Sequence, residues 1–152
     1  MMRASVSDAI VVPPSGGAEW NVLGSKMTCK VGSEQTGGVY SIVENTLAPQ
    51  DGPPPHVHRN EDEIFYVVEG EFEIRCGERT FRAAAGALAV LPRNVPHSFR
   101  NVGEGEGRVL TTITPGGFEK FFEEVSREVP TMPPDVAKLK EIGRKYNLEF
   151  MV

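Results

Sequence analysis

Seven short runs rich in β-branched and aromatic residues follow one another closely through the middle of this 152-residue chain. Gly, Pro, Asn and Asp separate the runs, and these residues favour turns. The chain contains 16 Gly and 12 Pro, which indicates that it turns often. Short strands at such close spacing predict an all-β sandwich or small barrel. The runs lie at 26–31, 39–47, 63–68, 72–76, 87–91, 97–102 and 108–114.

The apolar pattern changes to a helical period after residue 117. Two stripes have this spacing: Phe118, Phe121, Phe122 and Val125, then Val136, Leu139, Ile142 and Tyr146. Asp135 precedes the second stripe as a predicted helix cap. We interpret both stripes as surfaces that pack on the outside of the sheet or on a partner subunit, not as ligand sites. The predicted organisation is an N-terminal arm at 1–19, a β-barrel at 20–115 and C-terminal helices at 116–152.

Charge and composition exclude several classes of partner. The net charge of −5 and the pI of about 5.3 give no basic surface for a nucleic acid. The longest uncharged apolar stretch, 83–91, is far shorter than the roughly 20 residues of a membrane-spanning helix. Cys29 and Cys76 lack CxxC spacing and suit a reducing compartment. We therefore expect a cytoplasmic protein that binds neither nucleic acid nor membrane.

The chain has only three histidines, and their positions predict a metal site. His56 and His58 follow three prolines that hold the backbone extended, so both imidazoles should face the same side. Glu63 begins the next apolar run, and His97 follows a turn at 92–96. Three imidazoles and one carboxylate form a nitrogen and oxygen donor set that suits Mn, Fe, Co, Ni, Cu or Zn.

The residues alone do not select the acidic ligand. Glu61, Asp62 and Glu63 are adjacent, and the run that follows is apolar at successive positions, so alternation favours none of them. All three carboxylates stay open on this evidence.

A first motif in this region resembles that of the cupin family, small β-barrels with a metal site. The family pattern is His-x-His, three or four residues, Glu, six residues, Gly. His56, His58, Glu63 and Gly70 match it. Gln50 stands where the family usually has a glycine six residues before the first histidine.

A second motif strengthens the resemblance. The family pattern is Gly, five residues, Pro-x-Gly, two residues, His, three residues, Asn. Gly86, Pro92, His97 and Asn101 match it, and Asn94 replaces the middle glycine. Asn tolerates positive φ better than other non-glycine residues, so the turn can keep its geometry.

The resemblance implies a cupin-type double-stranded β-helix, or jelly-roll barrel, with a C-terminal helical extension. It implies one divalent transition metal ion per chain, Fe, Mn, Ni, Cu, Co or Zn, held by His56, His58, Glu63 and His97. Its spacing selects Glu63 and leaves Glu61 and Asp62 as a solvated turn, with Asn101 tying down its own turn. A homodimer is the usual family assembly.

The tract 53–70 looks most like small quercetinase-like cupins, which implies a mononuclear metal-dependent dioxygenase acting on a small enolic or aromatic substrate. A metal-dependent isomerase or lyase of a sugar or keto acid is the first alternative, and a non-enzymatic small-molecule-binding cupin is the second. Catalytic proton transfer would fall to Glu63, another carboxylate, Tyr66 or Tyr40, or a metal-bound hydroxide. Phe65 and Val67 lie an even number of residues from Glu63, and Phe99 lies two residues from His97, so each should face the same side of its strand as the ligand. These apolar side chains are therefore expected either to line the pocket or to pack in the core.

Overall fold

The computed structural model describes residues 8–151, which form two antiparallel sheets with two helices near the C-terminal end. Residues 1–7 of the predicted arm, and residue 152, lie outside the described residues. In chain order the elements are β1 (Ala18–Val22), β2 (Ser25–Val31), a 3-10 turn (Ser33–Gln35), β3 (Ser41–Leu47), β4 (His56–His58), β5 (Asp62–Glu69), β6 (Glu71–Cys76), β7 (Arg79–Ala84), β8 (Leu88–Leu91), β9 (His97–Asn101), β10 (Gly107–Thr114), α1 (Glu119–Glu128), α2 (Val136–Lys145) and β11 (Leu148–Phe150).

The sheets have the topology of a double-stranded β-helix, as predicted. One sheet has six strands in the order β1-β2-β3-β10-β5-β8, and the other has five in the order β11-β4-β9-β6-β7. Each of the seven predicted runs coincides with a strand to within two residues at either end. Of the other four strands, β4 was predicted only as an extended segment, and β1, β7 and β11 were not predicted as strands. Because β1 crosses the predicted boundary at residue 19 and β11 lies among the predicted helices, the division into three segments stays a prediction.

Strict alternation of side chains turns one face of the six-stranded sheet inward. Every second residue of β3 and of β10 is buried, and the residues between them are only partly buried. The inward side chains meet those of the other sheet in an apolar cluster at one end of the barrel. This cluster contains Leu47, Phe65, Val67, Phe72, Ile74, Ala83, Leu91 and Val109.

A second apolar cluster joins the helices to the other end of the barrel. It unites inward residues such as Val43 and Ile113 with Phe121 of α1 and Leu139 of α2. Asp135 caps α2 as predicted, because its side chain accepts a hydrogen bond from the backbone N–H of Lys138 at 3.0 Å. Neither α1 nor α2 has the length and apolarity needed to span a bilayer, and the described residues contain no other α-helix.

After α2 the chain returns to the barrel and adds a strand beside the histidines. β11 pairs antiparallel with β4, with Leu148 opposite His58 and Phe150 opposite His56. The backbone N–H of Met151 then donates to the carbonyl of Pro55 at 2.8 Å. The short strand β4 is therefore held between β9 and β11.

Candidate metal centre

Three strands from both sheets bring the predicted ligands together. His56 and His58 lie on β4, and His56 is the cross-strand partner of His97 on β9. Glu63 lies at the start of β5 in the facing sheet. All four side chains are buried, and one ligand atom from each lies within 4.8 Å of the others. The ring centroids of His56 and His58 are 5.1 Å apart, so the two imidazoles enter the same cluster.

The distances within the cluster are those of groups that can share one ion. Oε1 of Glu63 lies 2.9 Å from Nε2 of His97 and 3.2 Å from Nε2 of His58. Two ligands bound at right angles to one ion, with bonds of about 2.1 Å, lie about 3.0 Å apart. The donor set, three imidazole nitrogens and a carboxylate oxygen, contains no thiolate and suits a first-row divalent metal. The residues present therefore fit the metal that the motifs imply.

The outward-facing ring nitrogens have different surroundings. Nδ1 of His56 lies 2.9 Å from the carbonyl of Pro54 and donates to it, which leaves Nε2 for the cluster. Nδ1 of His58 lies 3.5 Å from Oε1 of Glu61, and neither atom has a closer hydrogen-bond partner among the described residues. The expectation that Glu61 belongs to a solvated turn was wrong, because this carboxylate is buried beside His58. Asp62 does face solvent, where it pairs with Arg93.

In the metal-free cluster, burial and neighbouring charges shift the pKa values of His56, His58 and Glu63 in different directions. Burial lowers the pKa of His56 to about 3, and the neighbouring imidazoles of His97 and His58 add to this shift. Burial also acts to lower the pKa of His58, but the carboxylates of Glu63 and Glu61 outweigh it and raise that pKa to about 9. Burial favours the neutral form of Glu63, yet the charge of His58 and the hydrogen bonds from His58 and His97 hold its pKa well below the usual range.

The two positions where family glycines are replaced have positive φ. Gln50 has φ 72° and Asn94 has φ 66°, so both turns keep the left-handed geometry without glycine. The prediction for Asn94 is confirmed. Gly52 is required for a different reason: a Cβ there would lie 1.9 Å from the carbonyl oxygen of Phe99. The loop after β3 therefore presses directly against β9.

A cavity of about 230 Å³ adjoins the cluster. His56, His58 and Glu63 form part of its wall, whereas His97 is buried without lining it. Five aromatic rings line the cavity: Phe99, Phe118, Phe121, Phe122 and Phe150. The polar lining residues outside the cluster are Ser25, Asn45, Gln50, Asp51 and Thr111. Among residues 8–151, no Lys or Arg lines this cavity.

The lining decides between the alternatives for three apolar side chains and corrects the prediction for the first helical stripe. Phe99 lies in the cavity wall, but Phe65 and Val67 pack in the apolar cluster at the far end of the barrel. The first helical stripe does more than cover the sheet, because Phe118 stands edge-on to the ring of His58 at 4.5 Å between centroids. Phe121 of the same stripe also lines the cavity. The helical period revealed the stripe, but periodicity alone does not show what a helix faces.

The fold and the cluster define a small jelly-roll barrel with a histidine-carboxylate site inside it, and known proteins share this architecture. The Cupin domain family matches residues 43–113. Among solved structures, a predicted oxalate decarboxylase from Thermotoga maritima superposes with a TM-score of 0.63 at 22% identity, over 70% of this chain and 99% of that chain. The chain belongs to the cupin superfamily.

Two curated relatives are similar over part of their length. The chain is 31% identical over 90 residues to the polyketide synthase CurC of Streptomyces cyaneus. The matched stretch covers 59% of this chain and 58% of that protein. It is 29% identical over 87 residues to the quercetin 2,3-dioxygenase of Bacillus subtilis. This matched stretch covers 57% of this chain and 26% of that protein. The chain thus spans little more than half of the first relative and about a quarter of the second.

Proposed function

We propose that this chain binds one divalent transition metal ion through His56, His58, Glu63 and His97 and acts as a dioxygenase on a small enolic or aromatic substrate. The observation that carries the proposal is the convergence of four buried ligand atoms within 4.8 Å at the wall of an aromatic-lined cavity. When bound, the ion would polarise a substrate oxygen as a Lewis acid and supply the redox chemistry for reaction with dioxygen.

The cavity supports a flat, largely apolar substrate. Phe118 and Phe122 meet edge to face, with centroids 5.3 Å apart, and aromatic surfaces of this kind pack well against a further ring. The four side chains of the cluster are also buried, which strengthens the electrostatic interactions among them. Similarity to a quercetin 2,3-dioxygenase supports dioxygenase chemistry, although that match covers 26% of the relative.

Glu63 is the residue best placed to accept a substrate proton. Its Oε1 is engaged by His58 and His97, while its Oε2 makes no hydrogen bond to the described residues, and the side chain lines the cavity. Oε2 is therefore free to take the proton of an enolic hydroxyl as that oxygen approaches the cluster. Tyr66 points away from the cavity and is 41% exposed, and Tyr40 does not line it.

The cavity also bears on the two alternatives. For an isomerase or lyase of a sugar or keto acid, a sugar-phosphate substrate would need a cationic group for the phosphate, and no Lys or Arg of the described chain lines this cavity. A non-enzymatic binding protein would use the same cavity and differs only in lacking turnover. Oligomeric state and cellular location stay predictions, with a homodimer expected in light scattering.

The first test is metal content. Elemental analysis of the purified protein should give one transition metal ion per chain, and His56→Ala should remove stoichiometric metal. Glu63→Gln should weaken binding as well, whereas Glu71→Gln, which changes an exposed carboxylate on β6, should not. Full metal content in the His56→Ala protein would refute the site.

The second test is turnover. Protein reconstituted with Fe, Mn, Ni or Cu should consume oxygen in the presence of a flavonol or a catechol. Turnover without oxygen uptake would instead support an isomerase or lyase. Tight binding without turnover would support a binding protein.

A further inference from the structure

The inner face of the six-stranded sheet carries a line of polar residues, one on each of three neighbouring strands, that begins at the metal centre. The inward residues of three neighbouring strands include Glu63 on β5, Thr111 on β10 and Asn45 on β3. All three line the cavity. Their inward neighbours Val43 and Ile113 are apolar, so these polar positions stand out on this face.

The strand register places the three residues on one diagonal. Glu63 pairs with Ile113, and Thr111 is the next inward residue along β10. Thr111 pairs with Val43, and Asn45 is the next inward residue along β3. Each step moves one strand and two residues, and such diagonal neighbours are about 7–8 Å apart or somewhat less at Cβ. We call Glu63, Thr111 and Asn45 the polar diagonal.

Two members of the polar diagonal have unused hydrogen-bonding capacity. Thr111 is 7% exposed and Asn45 is 8% exposed. The hydroxyl of Thr111 has no hydrogen-bond partner within residues 8–151. Oδ1 of Asn45 lies 3.3 Å from the hydroxyl of Ser25, but the single proton of that hydroxyl has a closer acceptor in the carbonyl of Val22, at 3.1 Å. Both side chains line the cavity, so their free hydrogen-bonding capacity is open to a molecule that occupies it.

We infer that Thr111 and Asn45 are specificity-determining residues that form hydrogen bonds with substrate oxygens remote from the metal centre. This inference rests on the proposed function and narrows its substrate class. The substrate is a flat aromatic compound with an enolic or phenolic oxygen at the Glu63 end and further oxygen substituents along the same edge. The phenylalanines of the wall contact its apolar surface. A site built to bond such oxygens rejects an analogue that lacks them, because the protein groups are then left unpaired.

Two bicyclic probes separate metal-directed binding from recognition along the diagonal. 3-Hydroxychromone carries the enol and ketone that can reach the metal, and 3,5,7-trihydroxychromone adds two hydroxyls on the remote ring. Isothermal titration of the metal-loaded protein, without oxygen so that no turnover occurs, should show tighter binding of the trihydroxy compound. Thr111→Val and Asn45→Leu should each reduce this preference for the trihydroxy compound about fivefold to tenfold.

Thr112→Val is the matched control, because Thr112 alternates with Thr111 on β10 and lies outside the cavity lining. Thr111→Val keeps the shape of the side chain, so it answers the question even if Asn45→Leu folds poorly. An unchanged preference in both folded variants would overturn the inference, while chromone binding would still support the proposed function. Failure of both probes to bind wild-type protein would overturn both. Loss of metal from the Thr111→Val protein would also overturn the inference, since it would show a role at the metal centre.

Discussion

Replacing Asn101 by Ala should destabilise the protein by about 3 kcal/mol. This side chain is fully buried and makes three hydrogen bonds. Its Nδ2 donates to the carbonyls of Leu47 at 3.0 Å and Gly105 at 2.9 Å, and its Oδ1 accepts from the N–H of Gly103 at 2.9 Å. Each bond contributes about 1 kcal/mol, and its loss leaves a backbone group without a partner. The predicted role of Asn101 in tying down its turn is confirmed by these contacts.

Urea unfolding of the metal-free protein measures this effect. With a slope of about 2 kcal/mol/M, the loss corresponds to a midpoint about 1.5 M lower. Asn60→Ala is the matched control, because Asn60 is exposed, and it should change stability by less than about 0.5 kcal/mol. Asn101→Ala should still bind metal, because Asn101 is not among the four ligands. A loss below about 1 kcal/mol would show that the three bonds contribute little and would refute the reasoning.

The remaining predictions concern charge, backbone strain, packing and metal. In Glu119→Gln the loss of Tm should be largest at pH 7 and shrink as pH falls below 4.5. Burial acts to raise the pKa of Glu119, but the N–H groups of Ser33 and Gly117 outweigh it and lower that pKa, so the stability it contributes is lost on acidification. Asn94→Val should cost about 1–2 kcal/mol in urea unfolding, and Asn94→Gly should not destabilise, because φ is 66°. Phe118→Ala should cost about 3–5 kcal/mol by the same assay. Metal at 100 times its Kd should stabilise the protein by about 2.7 kcal/mol, and a chelator should reverse the shift in Tm.

The strands and the cluster were predictable because their signals are local. Turn residues punctuate the strands, and three prolines set the direction of His56 and His58. The spacing of the two motifs then brought Glu63 and His97 into the hypothesis, and the structure brings these four side chains together. Asn94 and Asp135 were also predictable, since a left-handed turn and a helix cap each depend on one residue type at one position.

Features that depend on packing between distant segments were not predictable. β11 has only three residues, and nothing within it reveals that it pairs with β4. The burial of Glu61 follows from its approach to His58, which alternation along the strand does not specify. The polar diagonal likewise exists only once the register of β3, β10 and β5 is fixed. Tertiary contacts between segments far apart in the chain decide these features.

The pairing of β4 with β11 has a consequence for the order of assembly. The strand that carries His56 and His58 gains its second neighbour from residues 148–150, about ninety positions later in the chain. While the ribosome is still adding the residues before Leu148, one edge of β4 is bare and its two imidazoles are only partly enclosed. The surroundings of these two side chains are therefore completed only by a segment near the C-terminal end, although all four residues of the cluster precede it in the chain.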